Sequence, residues 1–358
     1  MSYKPLGLYK SGIIKSINGF GFNSLKRIDE EEIHSPTIIY PSTTETSFPT
    51  GEFYASVTMG SLIYLMGQNN IWVYDTKNNT IEKVCSCLSN ATSRGCATVG
   101  NKIYSFGGLV QGVTYLNWSS DSIWVFDAET KSTQNIGTLP IKLEGIGTSS
   151  VGKKIYLFGG RFNPELTIGR PVAYKDIYEF DTDTNSLTKL EVSLPFVLYN
   201  TKAVTVGKKI YLFGGTEFYY SSDSYDIYNY HDIIQVFDTV TKTIETLSIK
   251  VPTVTLKDNY IQCTDFLSDM ALISIGSKIY LIGGLVSIYG TNTIYSLDTV
   301  SNTFEKLFTT LPLESQSQYA VNHEGFIYLF GGYADPFYGD VEGSINCCIK
   351  ITLENNKN

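Results

Sequence analysis

The sequence predicts an all-β fold in which one four-stranded antiparallel unit is repeated six times. Three observations predict it. A phrase of the form Ile-Tyr-Leu-Phe-Gly-Gly recurs along the chain, its tyrosines falling at Tyr64, Tyr104, Tyr156, Tyr211, Tyr280 and Tyr328, that is 40, 52, 55, 69 and 48 residues apart. A second phrase, an apolar or aromatic residue followed by Asp and usually Thr, follows each of the first five copies. No stretch of useful length has helical periodicity. Self-similarity at such a spacing marks a repeat architecture, in which each unit hides its apolar face against the next.

Each element of the unit has its own signal. Four apolar residues without alternation, closed by glycine, predict a short strand buried on both faces. The paired glycines suit a place where backbones crowd or φ turns positive. Upstream, Val151-Gly152-Lys153-Lys154 and Val206-Gly207-Lys208-Lys209 are short turns preceded by another apolar stretch, the first strand. Downstream, the third strand ends in the second phrase: Val73-Tyr74-Asp75-Thr76, Val125-Phe126-Asp127, Glu179-Phe180-Asp181-Thr182, Val236-Phe237-Asp238-Thr239 and Ser296-Leu297-Asp298-Thr299. The Asp, Asn and Thr that follow favour a tight turn into a fourth strand.

Apolar runs ending in Gly-Gly, followed by an aromatic-Asp at this period, resemble kelch repeats over roughly residues 34–354. The resemblance implies a six-bladed β-propeller with four-stranded blades. Two features depart from the kelch pattern. The usual Trp six residues after the Asp is replaced by Ile81, Thr133, Leu187, Ile244 and Phe304, and the first copy has Gln68 for its second glycine. The turn after that copy is expected at Asn69-Asn70, residues that tolerate left-handed φ.

After Gly332 the chain offers only one more strand, expected at about Asn346 to Leu353, so the last blade lacks its outermost strand. Pro140 to Gly159, Pro195 to Gly214 and Pro312 to Gly331 are each 19 residues apart, and Pro49 to Gly67 is 18. By that register Ile33–Tyr40 occupies a fourth-strand position and is expected to complete the last blade, leaving no open edge. The expected organisation is an N-terminal extension of unassigned role over residues 1–32, then a propeller over 33–358 with 33–40 as its closing strand.

Composition narrows the function. The 358 residues carry a net charge of −8, with 17% charged and 13% aromatic residues and 26 tyrosines. So much apolar surface argues against disorder. The acidic balance argues against a phosphate-binding surface, so no nucleic-acid partner is expected. No apolar run reaches the roughly 18 residues of a membrane span, and the start lacks the apolar core of a signal peptide. The six cysteines include the adjacent Cys347 and Cys348 and the close Cys85 and Cys87, and fit no disulfide or zinc framework. Free thiols in a reducing, cytoplasmic compartment are expected. The N-x-S/T matches at Asn78, Asn90 and Asn117 then read as chance in an Asn- and Thr-rich chain.

Motifs of chemistry are few, and neither cofactor nor metal is expected. Gly147 to Lys154 nearly matches a phosphate loop, but Lys154 replaces the magnesium-binding hydroxyl and the segment precedes a strand. Asp226, His231 and Asp232, with Glu217 and Asp223, are the best candidates for a small metal site; the alternative is that they solubilise a tyrosine-rich loop. No G-x-S-x-G occurs.

Antiparallel order places the loops between second and third strands, and those between blades, on one face. The opposite face receives short turns, several with lysine: Lys102, Lys153, Lys154, Lys208, Lys209 and Lys278. The long-loop face receives the candidate binding residues: Tyr115 and Trp118; Arg161, Phe162 and Arg170; Tyr219, Tyr220, Tyr225, Tyr228 and Tyr230; and Tyr333, Phe337 and Tyr338. Rings on loops above a rigid scaffold present much amphipathic area with few rotors to freeze. About half should instead pack on one another or pair as extra strands, since long loops need internal packing. The expectation is a protein-interaction module or scaffold that binds a protein partner, its identity and the oligomeric state unspecified, through this face. The alternative is a small-molecule enzyme of sugar epimerase, mutarotase, lyase or specifier type, with its site at the channel mouth.

Overall fold

A computed structural model of the chain describes residues 37–39, 49, 52–86, 91–111, 117–164, 171–220, 226–257, 262–334, 343–345 and 347–352. Every regular element among them is a strand.

Phe53–Met59, Leu62–Gly67, Asn70–Asp75 and Thr80–Ser86 pair in chain order as one antiparallel sheet. The same arrangement recurs over residues 147–193, 202–250 and 271–306. It recurs again over 95–143, where the third strand is extended to Asn117–Asp127 and also pairs with Leu109–Gln111. Tyr319–His323, Phe326–Phe330 and Cys348–Thr352 form a further sheet, and Thr37–Ile39 pairs antiparallel with the last of these, Ile38 opposite Ile349. The first strands of successive sheets contact one another in chain order, and Tyr319–His323 returns to Phe53–Met59. This is a β-propeller.

The two recurring phrases interlock between neighbouring sheets, which explains why both recur. Phe180 of one sheet lies 5.8 Å from the Tyr104 ring and 5.2 Å from the Phe106 ring of the sheet before it. Phe237 meets Tyr156 and Phe158 in the same way, at 5.3 and 5.5 Å. Tyr74 of the first sheet meets Tyr328 and Phe330, carrying the pattern from the last sheet to the first. All six repeat tyrosines are buried. Each aromatic pair contributes about 0.5–1.5 kcal/mol beyond its area.

The glycine pair has a defined role. Gly107 and Gly108 adopt φ of 61° and 107°, and the Gly108 N–H donates to the Leu143 carbonyl at 2.8 Å. A Cβ on Gly107 would run into that same carbonyl. The second phrase is equally physical. Asp181 Oδ1 accepts the Asp183 N–H at 2.8 Å, shaping the turn, while Thr182 Oγ1 donates to the Lys153 carbonyl at 2.9 Å and ties that turn to the neighbouring hairpin. Asp75, Asp127, Asp238 and Asp298 accept the equivalent N–H.

The short-turn face pairs several of its own charges. Lys154 stands opposite Asp181 with Nζ 2.6 Å from Oδ2, and Lys102 stands opposite Asp127 at 3.3 Å. The near phosphate loop is an ordinary hairpin, Gly147–Val151 pairing with Lys154–Phe158 around Gly152. The first sheet departs from expectation at its second turn. Asn70 already pairs with Ser86, so the turn is Gln68-Asn69, and neither Asn69 nor Asn70 takes a positive φ.

Candidate functional site

The long-loop face is built from small sheets that extend the blade hairpins. Thr216–Tyr220 pairs with Asp226–Tyr230, and Arg161–Phe162 with Val172–Ala173. Thr253–Lys257, Gln262–Ser268, Leu285–Val286 and Tyr289–Gly290 form a four-stranded sheet, and Ser315–Gln316, Tyr333–Ala334 and Gly343–Ser344 a three-stranded one. Much of the tyrosine-rich sequence thus pairs as extra strands.

The sequence-predicted residues divide into three groups. Tyr230 and Tyr333 are exposed, at 61% and 39% of their surface. Trp118, Arg161 and Phe162 are half-buried. The Arg161 guanidinium binds Glu144 Oε1 through Nε at 3.0 Å and Nη2 at 2.7 Å, and lies 4.4 Å from the centre of the Tyr199 ring, so it braces two connections. Tyr115, Arg170, Tyr225, Phe337 and Tyr338 lie outside the described residues, as do the side chains of Tyr219, Tyr220 and Tyr228.

Three members of the suggested metal set, Glu217, His231 and Asp232, have described side chains. His231 Nε2 lies 3.1 Å from Glu217 Oε2 and its ring stacks on Phe196, whereas Asp232 pairs with Lys250 at 2.9 Å. Asp223 and the Asp226 side chain lie outside the described residues. Among the described residues Cys85, Cys96, Cys263, Cys347 and Cys348 form no disulfide, and burial pushes the Cys347 thiol up to about 11.

A second feature is a cavity of about 670 Å³ along the channel, where the alternative reading placed its site, and of its lining residues the sequence-predicted binding set includes only Tyr230. Its wall is a ladder of small hydroxyls on the innermost strands. Thr148 donates to the Cys96 carbonyl at 2.7 Å, Ser150 to the Thr98 carbonyl at 2.8 Å and Thr205 to the Ser150 carbonyl at 2.9 Å, each reaching back to the preceding sheet. The mouth is ionic. Lys202 Nζ lies 2.8 Å from Asp269 Oδ1, and Ser317 Oγ also donates to the Asp269 carboxylate. Arg94 is buried, giving Nε to the Ala91 carbonyl at 2.8 Å and Nη2 to the Gln68 carbonyl at 3.1 Å. Glu52 accepts the Tyr54 hydroxyl; burial, and then the Asp269 charge, raises its pKa against the opposing pull of Lys202. The available signal was modest: polar residues at alternate positions in or just before some first strands, such as Tyr54 and Ser56 or Arg94, Cys96 and Thr98.

Residues 145–345 match the model of the KLHDC2/KLHL20/DRC7 Kelch-repeats domain. The chain belongs to the kelch-repeat family. The kelch chain is similar to Kelch domain-containing protein 3 of Bos taurus, 25% identical over 265 residues, which is 67% of this chain and 63% of that relative's length. The chain therefore spans less than two thirds of that relative. Over 138 residues, 37% of the kelch chain and 32% of the relative, it is 28% identical to N-acetylneuraminate epimerase of Vibrio vulnificus. The solved structure of YjhT superposes with a TM-score of 0.64 at 13% identity, covering 86% of this chain and 99% of that one, a likeness of fold. No helix long and apolar enough to cross a membrane occurs among the described residues.

Proposed function

We propose that this kelch chain is a cytoplasmic protein-interaction module: a six-bladed propeller over residues 33–358, closed by the strand at 33–40, that binds a partner protein through its long-loop face. The pairing of Thr37–Ile39 with the last strand and the cyclic order of the innermost strands support six blades and closure. One observation carries the choice of face. Among the described residues eight large apolar side chains are exposed, and six of them, Val172, Phe196, Tyr230, Ile288, Phe308 and Tyr333, stand on the long-loop side. The other two, Val240 and Val300, sit in turns of the opposite face. Apolar and aromatic groups gathered on one side of a propeller are what a docking surface requires.

Affinity capture with mass spectrometry tests this reading, comparing wild type with a Tyr230→Ala/Tyr333→Ala chain and with a Val240→Ala/Val300→Ala control. Loss of a partner in the first variant alone is expected. Retention of every partner there, with loss in the control, overturns the choice of face.

A second reading, a small-molecule enzyme working at the channel mouth, is favoured by the 670 Å³ cavity, whose size is in the range of about 300–1,000 Å³ typical of ligand pockets. The partial likeness to an epimerase adds to it. Turnover of N-acetylneuraminate by the purified chain, abolished by Glu52→Gln, would select this reading over the first.

A further inference from the structure

We propose that the channel mouth receives a cationic side chain of the protein partner, a guanidinium or ammonium group seated against Glu52 between the rings of Tyr54 and Tyr319. This deepens, and rests on, the reading of the long-loop face as a protein-binding surface.

Four charged side chains line the mouth: Glu52, Arg94, Lys202 and Asp269. Their partners differ. Arg94 spends Nε and Nη2 on the carbonyls of Ala91 and Gln68. Lys202 and Asp269 pair with each other at 2.8 Å. Glu52 has the neutral Tyr54 phenol as its hydrogen-bond donor, and the repulsion of Asp269 outweighs the attraction of Lys202, which is itself paired with that aspartate. A half-buried carboxylate in that balance is stabilised when a further cation reaches it, because charge-assisted hydrogen bonds strengthen as water is excluded.

The cavity offers the shape as well as the sign. Tyr54, Tyr230, Phe266 and Tyr319 line it, supplying aromatic faces on which a guanidinium or ammonium group is favoured. Burial raises the pKa of both Tyr54 and Tyr319, so these phenols stay neutral at ordinary pH and add no competing charge. An anionic guest fits less well, because it would have to break the Lys202–Asp269 pair or approach Glu52 directly.

The test measures binding of N-acetyl-L-arginine amide, N-acetyl-L-glutamine amide and N-acetyl-L-glutamate amide to the full chain by ligand-observed NMR. The arginine probe should bind about tenfold more tightly than the glutamine probe, the scale of one charge-assisted contact. Glu52→Gln should abolish that preference and Lys202→Met, which removes a competing cation, should increase it. Melting curves establish that both variants fold, and their opposite expected effects separate loss of a contact from loss of structure. Equal binding of all three probes, preference for the glutamate probe, or a preference unchanged by Glu52→Gln overturns the inference. A failure here with face-dependent capture intact would leave the protein-binding reading standing.

Discussion

Lys202 and Asp269, from neighbouring sheets and 67 residues apart in sequence, close an ion pair of 2.8 Å at the mouth of the channel. Beside them Glu52 responds to both charges, lowered by the lysine and raised by the aspartate. Substitutions should therefore move the Glu52 titration in opposite directions. Lys202→Met is expected to raise its pKa and Asp269→Asn to lower it, as read by carboxyl-carbon NMR of the labelled chain. A shift of the same sign in both variants would contradict the arrangement. The pair itself is half-exposed, so its loss should cost at most about 1 kcal/mol of stability.

The repeat glycines give a paired test. Gly159 and Gly152 adopt φ of 61° and 60°, but only at Gly159 would a new Cβ meet a backbone carbonyl, that of Leu198. Gly152→Ala should cost about 1 kcal/mol, the left-handed penalty alone. Gly159→Ala should cost about 3 kcal/mol or more, since the inter-blade connection must also shift. Urea unfolding measures both, and equal losses would refute the crowding argument.

Acid should loosen the short-turn face first. The carboxyls of Asp181, Asp238 and Asp298 lie below their ordinary value, Asp181 through Lys154 and the other two chiefly through backbone N–H groups of their turns. A carboxylate with a depressed folded pKa contributes stability that is present above the unfolded value of about 3.9 and lost as pH falls through the folded value. The melting temperature is expected to drop as pH falls below about 4. Asp298→Asn should flatten that drop. An unchanged acid slope in this variant would contradict the assignment.

Closure can be tested by shortening. A chain beginning at residue 42 loses the partner of Cys348–Thr352 seen in the Thr37–Ile39 pairing. It is expected to be less stable by about 2 kcal/mol or more, the scale of a few lost backbone hydrogen bonds, and to self-associate through the exposed edge. Melting curves and light scattering read the two effects. A shortened chain with unaltered melting and mass would refute closure.

The blades were legible because their causes are local and repeated. Tyr104 and Phe180 announce themselves by position in a phrase, and the phrase recurs because each sheet packs on the next in the same way. The mouth was not legible, since Glu52, Lys202 and Asp269 belong to no phrase and meet only when the ring brings distant segments together. The loop rings were legible in part. Tyr230 is exposed as its composition suggests, whereas Arg161 is held by Glu144 from another connection, a pairing no local pattern carries. The expected Asn69-Asn70 turn failed for a related reason: cross-strand pairing with Ser86 drew Asn70 into the sheet.

The most direct measurement is hydrogen–deuterium exchange of the full chain alone and with a captured partner. Protection is expected in the segments bearing Phe196, Tyr230, Ile288 and Tyr333, with the turns at Gly152, Gly207 and Gly276 unchanged. Protection confined to those turns, or to the outermost strands, would contradict a partner bound on the long-loop face.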